Sequence, residues 1–267
     1  MPDVQVNGFS LHYETAGEGP AVLFSHSLVC DREMFAAQAE GLADEFFTIN
    51  VDTRGHGRSG YPSHENWTIE EMVEDFIPLL DELQVDKVHW VGLSLGGMLG
   101  LRLALKYPER VASLTLMDTT AQGEVPALQQ AYLGLAQAVR AGMIDQVMDK
   151  LINLFFAPTT QQQKPELVAH WKEKFRQLDV EGVYRAALAT FQRSDLSADL
   201  GKITIPALVM RGALDQARLP AESDFMVQNL PNARLEVIPD AAHLAALEQP
   251  EFTNQKLREF LHSVVKG

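Results

Sequence analysis

Short, almost uninterrupted apolar runs recur along the chain at Ala21–Ser25, Phe46–Val51, Val88–Leu93, Val111–Met117, Pro206–Met210 and Leu235–Ile238. A strand with one wet face alternates apolar and polar residues, whereas a continuous apolar run has both faces buried. Helix-patterned sequence lies between most of these runs, so the expected fold class is α/β: a mostly parallel central sheet covered by helices on both sides. Ahead of the first run, Val4–Val6 and Ser10–Tyr13 flank Asn7-Gly8, a two-residue hairpin signal. Thr68-Ile69-Glu70-Glu71 has the form of a capping box and opens a helix with Ile69, Met72, Val73, Phe76 and Leu80 on one face. Pro78 lies inside that pattern and should kink or end the helix. Leu257, Phe260, Leu261 and Val264 stripe the last helix. From about Ala121 to Leu200 the alternation stops, leaving Gln/Ala/Leu stretches with helical patterning and no strand. The expected organisation is a core domain of 1–120 and 201–267, with a helical cap of 121–200 inserted between two strands.

A chain of 267 residues can bury a full core without disulfide or metal staples. Asp and Glu number 36 against 22 Lys and Arg, a formal net charge of −14. Such a surface repels phosphate backbones and anionic lipid, so neither nucleic acid nor membrane is an expected partner. Cys30 is the single cysteine, which excludes an intrachain disulfide and favours a reducing compartment. No apolar run reaches the roughly 18 residues of a membrane span. The start, Met1-Pro2-Asp3-Val4, has neither the basic region nor the apolar core of a signal peptide. The expectation is a soluble cytoplasmic protein.

Gly92-Leu93-Ser94-Leu95-Gly96-Gly97 closes one apolar run and leads into the helix-like stretch Met98–Tyr107. This is G-x-S-x-G in a strand–turn–helix context, the setting of a nucleophile elbow. A sharp turn holds the serine in a strained conformation, and its neighbours must be nearly free of side chain. The serine then sits at a helix N-terminus, where unpaired N–H groups favour an oxyanion. Ser94 needs a base, and the base needs an orienting carboxylate. On an elbow of this type the order is serine, acid, histidine. Of eight histidines, His243 lies between a strand and the last helix and follows Ser94. His26 and His56 sit on loops after strands, facing the same end, but precede it. Asp215 lies just past the Pro206–Met210 strand, at the end where open α/β sheets place their sites. Asp118 also ends a strand and is the rival acid. The oxyanion donors expected are the N–H of Leu95 and one from the loop Ser25-His26-Ser27-Leu28, with Leu28 preferred over Ser27.

Gly55-His56-Gly57-Arg58-Ser59-Gly60 matches G-x-G-x-x-G, but Tyr61-Pro62-Ser63 follows where a dinucleotide site needs a helix. It is read as a structural turn. No P-loop, zincin motif or Cys/His cluster occurs, so no nucleotide, metal or other cofactor is expected.

These motifs together resemble the α/β-hydrolase family from the first hairpin to the final helix. The resemblance rests on the elbow, on Asp52-Thr53-Arg54-Gly55-His56-Gly57-Arg58-Ser59, on Gly212–Asp215, and on His243 followed by Leu247-Glu248-Gln249-Pro250-Glu251. The family commonly has His-Gly in its oxyanion loop where this chain has His26-Ser27. Ser27-Leu28, Ala241-Ala242-His243-Leu244 and Arg193-Ser194-Asp195 look most like 3-oxoadipate enol-lactonases and small carboxylesterases. Serine at position 94 argues against haloalkane dehalogenases, which carry aspartate there.

The function expected is a serine hydrolase of a small carboxylic ester, working through Ser94, His243 and Asp215 and an acyl-enzyme. The alternatives are enol-lactone hydrolysis and, from another class, a hydrolase-fold ligand receptor with little turnover. Arg193 is the candidate substrate cation for an anionic lactone, its other reading being a surface arginine paired with Asp195 or Asp199. Leu154, Phe155, Phe156, Trp171, Tyr184 and Phe191 are available to line an apolar lid, with Trp171 the chosen contact.

Overall fold

The computed structural model describes residues 3–265. Met1 and Pro2, part of the segment read above for a leader, lie outside the described residues. The strands are β1 Asp3–Val6, β2 Phe9–Ala16, β3 Ala21–Ser25, β4 Phe47–Val51, β5 Val88–Leu93, β6 Val111–Met117, β7 Ala207–Gly212 and β8 Ala233–Ile238. They form one sheet in the order β1-β2-β4-β3-β5-β6-β7-β8. β1 and β2 run antiparallel to their neighbours, and every other pair is parallel. At the hairpin Asn7 and Gly8 both have positive φ, 42° and 87°, as a type I′ turn requires.

The apolar runs serve two cores. In β3, Leu23 joins one core while Val22 and Phe24 join the other. In β5, Trp90 and Val91 divide in the same way, as do Val209 and Met210 in β7. The first core is closed by α2 (Ile69–Val73), α3 (Phe76–Glu82), α4 (Leu95–Lys106) and α10 (Pro220–Asn229). The second is closed by α1 (Ala36–Leu42), by α11 (Ala245–Glu248) and by α12 (Pro250–Val265), with Leu257, Phe260 and Leu261 buried as their spacing predicts. Between β6 and β7 the chain runs through α5 (Pro126–Arg140), α6 (Ile144–Phe155), α7 (Pro158–Gln163), α8 (Pro165–Arg176) and α9 (Val180–Phe191). This helical insert is the interruption read from the sequence. Among the described residues no helix is long and apolar enough to cross a membrane.

The capping box is present: Thr68 Oγ1 accepts from the Glu71 N–H, and the Glu71 carboxylate accepts from the Thr68 N–H. The interruption expected at Pro78 comes earlier: the stretch is two helices broken at Glu74–Asp75. Pro78 therefore falls in the first turn of α3, where its missing N–H has no intrahelical partner to lose. The break frees the Asp75 carboxylate to accept from Asn7 Nδ2 at the hairpin and from two nitrogens of Arg54 after β4. Asp75 and Arg54 side chains are each only 2% exposed. Removing one partner of a buried pair strands the other charge. Asp75→Ala should therefore cost about 3–5 kcal/mol, read as a lower urea midpoint at an unchanged m-value.

Candidate active site

β3 and β5 lie at the centre of the sheet where the strand order reverses, and their C-terminal ends meet side by side. That crevice is where an open α/β sheet holds its ligand. Ser94 lies between β5 and α4 with φ 53° and ψ −109°, a strained conformation for a residue with a side chain. Its N–H donates to the Met117 carbonyl at 2.9 Å, and its carbonyl accepts from Thr119 Oγ1 at 2.7 Å. The glycines around it are dictated by contact. A Cβ on Gly96 would lie 1.9 Å from the Ser25 carbonyl oxygen, and one on Gly92 would lie 2.2 Å from Gly96.

Ser94 and His243 line one cavity, whose wall is mostly apolar. His243, in the loop after β8, directs Nδ1 at Asp215 Oδ2, 3.0 Å away, with both side chains at most 3% exposed. The other Asp215 oxygen accepts from the N–H groups of Ala217 and Arg218 at 2.8 and 3.1 Å. A carboxylate only accepts, so Nδ1 carries the proton and Nε2 keeps its lone pair. The structure brings together Ser94, His243 and Asp215, drawn from three widely separated segments. The rival, Asp118, accepts from the Gly212 N–H at 2.7 Å rather than from the histidine.

Leu95 is the first residue of α4, whose leading N–H groups have no helical partner. Leu28 lines the same cavity from a turn closed by the Cys30 N–H on the Ser27 carbonyl at 3.1 Å. Val29 in that turn has φ 61°, a genuine outlier for a β-branched residue. The Ser27 carbonyl is also held by His26 Nδ1 at 2.7 Å. The peptide is planar and trans, so fixing Ser27 C=O fixes the Leu28 N–H in the opposite direction. His26 and His56 thus stand behind the loop rather than in the cavity. His26 Nε2 accepts from the Thr53 N–H at 3.0 Å, and the two rings meet edge to face at 5.1 Å.

Two of the expected substrate contacts, Arg193 and Trp171, lie outside the cavity lining. Arg193 is not on the surface and does not line the cavity: its guanidinium donates to the Gln122 and Thr190 carbonyls and to Glu124. Glu124 precedes α5 and Arg193 follows α9, so the pair clamps the two ends of the insert. Burial and the nearby Arg218 charge pull Arg193 down to about 10. Trp171 is 1% exposed on α8, packed on Phe175 with the Lys174 ammonium over its ring, away from the cavity. Of the other aromatic candidates, Phe155 and Phe191 line the cavity along with Leu154, while Phe156 is core and Tyr184 lies under Arg140.

Sequence reasoning missed two side chains. Arg218 lines the cavity, but its guanidinium donates to Glu124 at 2.7 Å and Glu222 at 3.1 Å. Glu248 is fully buried and accepts from the Ala242 N–H at 2.6 Å and the Ala157 N–H at 2.7 Å. It ties the loop carrying His243 to the insert. Phe155 adds to the tie: its ring stacks on His243 and its carbonyl accepts from the Leu244 N–H. The residues before it, Ala241–Leu247, are apolar apart from His243, and nothing in them marks Glu248 as a tie.

The turn behind β4 matches its reading. No helix begins within Gly55–Gly60, and the Asp52 carboxylate accepts from the N–H groups of Arg32 and Arg58.

A model of the alpha/beta hydrolase fold matches residues 20–250 of the chain. A 3-oxoadipate enol-lactonase of Acinetobacter baylyi is 33% identical over 248 residues, 92% of this chain and 90% of that one. Among solved structures, a thermophilic esterase of Thermogutta terrifontis, solved with malate bound, superposes with a TM-score of 0.93 at 33% identity over 99% of both chains. The enol-lactonase of Burkholderia xenovorans LB400 gives 0.91 at 30% identity, over 98% of this chain and all of that one.

The buried histidines have a measurable consequence. Burial pushes His26 down to about 4, and burial together with His26 pushes His56 down to about 3. Below the ordinary value of 6.5 the unfolded chain binds protons that the folded one refuses, so stability is lost as pH falls. The loss approaches about 1.4 kcal/mol per pH unit for each histidine. The urea midpoint should decline steadily from about pH 7 to about pH 4, and less steeply in His56→Gln. A flat profile would mean that these rings are not neutral in the fold.

Proposed function

The chain belongs to the alpha/beta hydrolase fold family, and from that premise we propose that it is a serine hydrolase of small, neutral carboxylic esters. One observation carries the reading. A serine on a strained elbow shares an apolar cavity with a histidine whose Nδ1 is hydrogen-bonded at 3.0 Å to a buried aspartate. In this reading His243 Nε2 takes the Ser94 proton as Oγ attacks the carbonyl carbon. Asp215 keeps the imidazole in the competent tautomer and stabilises the imidazolium. The Leu95 and Leu28 N–H groups receive the developing oxyanion, each worth about 3 kcal/mol by analogy with other such donors. His243 then protonates the leaving alcohol, and the acyl-enzyme is cleared when His243 activates a water.

The cavity wall favours a neutral substrate with an apolar acyl group. Leu135, Val139, Leu151, Leu154, Val183 and Phe191 line it. Among the described lining residues Arg218 is the permanent cation, and Glu124 and Glu222 already neutralise it. Arg218 Nε is left without a partner, but the two glutamates already balance the charge that a free carboxylate would seek. The names of the relatives keep lactones in view as a second reading, and a neutral lactone fits the same wall.

Ser94→Ala should fold normally and lose ester hydrolysis by about 10⁴-fold or more. A serine-directed phosphonate should label Ser94, and equal labelling of the variant would sink the assignment. Asp215→Asn should lower kcat by about 10⁴-fold with KM nearly constant, because the wrong tautomer is then favoured. Over p-nitrophenyl esters, kcat/KM should rise by about fourfold for each acyl methylene until the cavity is full. Faster turnover of a carboxylate-bearing enol-lactone than of any neutral ester would favour the lactonase reading. Turnover barely above background on every ester and lactone would favour a receptor.

A further inference from the structure

Asp118 is a buried acid that the proposed reaction leaves without a task. It follows β6 with φ 43°, a left-handed conformation that aspartate and asparagine tolerate better than other side chains. It is 2% exposed. Oδ1 accepts from the Gly212 N–H at 2.7 Å, while Oδ2 is buried with no donor directed at it. Asp118 and Asp215 converge on one residue: Asp118 takes the Gly212 N–H, and the Gly212 carbonyl accepts from the Asp215 N–H at 3.3 Å, with Asp215 itself 8% exposed. Asp215 has its oxygens occupied by the N–H groups of Ala217 and Arg218 and by His243, all of them donors. Two neighbouring carboxylates buried around the same residue do not both stay ionised away from water, and one of them keeps a proton.

We propose that Asp118 is a neutral carboxylic acid that donates a hydrogen bond from Oδ2 to the Asp215 carboxylate, making it a positioning residue for the Asp215–His243 pair. This rests on the reading of His243 as the base. The pair then carries a single negative charge, placed on the acid that faces the histidine. Asp118 keeps its proton throughout, and no group is transferred to or from it.

The surroundings agree with that distribution. Burial and then the Asp215 charge push the Asp118 carboxyl well above the usual carboxylate range. The charged and titratable groups facing the pair come from several elements. Glu248 on α11 acts on Asp118 with the same sign as Asp215. Tyr132 on α5 lies within the field of Asp215, as it does of Arg218 and Glu124. Arg218, beside Asp215, has its guanidinium committed to Glu124 and Glu222. Two acids therefore press on Asp118 with no cation paired to it among the groups named.

The test follows the ring titration of His243 by NMR in the whole, ligand-free protein, so its outcome does not depend on turnover. Asp118→Asn preserves the donor, the charge and the left-handed backbone. The His243 titration midpoint should stay within about 0.3 pH unit of the original, and kcat within about threefold, because no charge has been removed. If Asp118 were ionised, the same variant would delete a negative charge beside the imidazolium. The midpoint would then fall by about one pH unit or more, overturning the proposal. Asp118→Ala removes the donor and leaves the Asp215 charge undiluted, so the midpoint should rise and kcat should fall at least tenfold. An Asp118→Ala midpoint that fell, or a kcat unchanged from the original, would also overturn it. Infrared spectra give a direct reading: a protonated-carboxyl band should be present near neutral pH and lost in Asp118→Asn. Its absence from the unaltered protein would leave no neutral acid to donate. An active Ser94→Ala would defeat the hydrolase reading alone, since the titrations and the band are read without it.

Discussion

At the elbow the backbone of Gly96 runs so close to Ser25 that a Cβ would sit 1.9 Å from its carbonyl oxygen. α4 is thereby pressed against the end of β3, and Ser94 is held at the crest of the turn with φ 53°. A left-handed serine is unstable by itself, so surrounding structure must over-determine it. The Met117 carbonyl, the Thr119 hydroxyl and the parallel pairing of β5 with β3 and β6 supply that constraint. The same close approach brings the loop after β3 next to the start of α4, so that Leu28 and Leu95 come from adjoining elements. Anything that widened the β3–β5 crevice would relax the serine and separate those two N–H groups together.

The histidine has a different foundation. It lies on the loop after β8, near the sheet edge, and the core alone does not hold it. Glu248 bonds at one oxygen to the residue before His243 and at the other to Ala157 of the insert. Phe155 stacks on the ring and takes the Leu244 N–H. The α6–α7 junction is therefore part of the support of His243, and this side of the insert is stapled to the core. At its other side the insert is closed by Glu124, held between Arg193 and Arg218. Each of these carboxylates is buried with its hydrogen bonds satisfied, the condition under which a buried charge is tolerable.

Buried polar groups here divide by distance from the chemistry. Asp75 ties α3 to the hairpin through Asn7 and to the loop after β4 through Arg54, and His26 with Thr53 braces the back of the turn after β3. Arg218 stands at the cavity wall with its charge already matched. A cavity so arranged offers apolar contact along most of its length and polar chemistry at one end, a division that suits an acyl chain leading to a reactive carbonyl.

By itself the sequence determined what depends on neighbours along the chain. The apolar runs, the Asn7-Gly8 turn, the Thr68 capping box and the G-x-S-x-G elbow are short-range patterns, and each forms where its residues lie. The order of Ser94, Asp215 and His243 was legible for the same reason, since each follows a recognisable strand. Tertiary structure alone decided which distant charges meet. Arg193 looked like an exposed cation because Glu124, its partner 69 positions away, is brought to it only when the insert closes. Trp171 looked like a lid residue because helical spacing gives a face but not what that face packs against. Glu248 and Asp118 carry no local signature of their roles: a carboxyl reads the same in sequence whether it holds a loop, keeps a proton or meets water. Burial and the partners supplied by other segments make that choice, and those are properties of the closed fold.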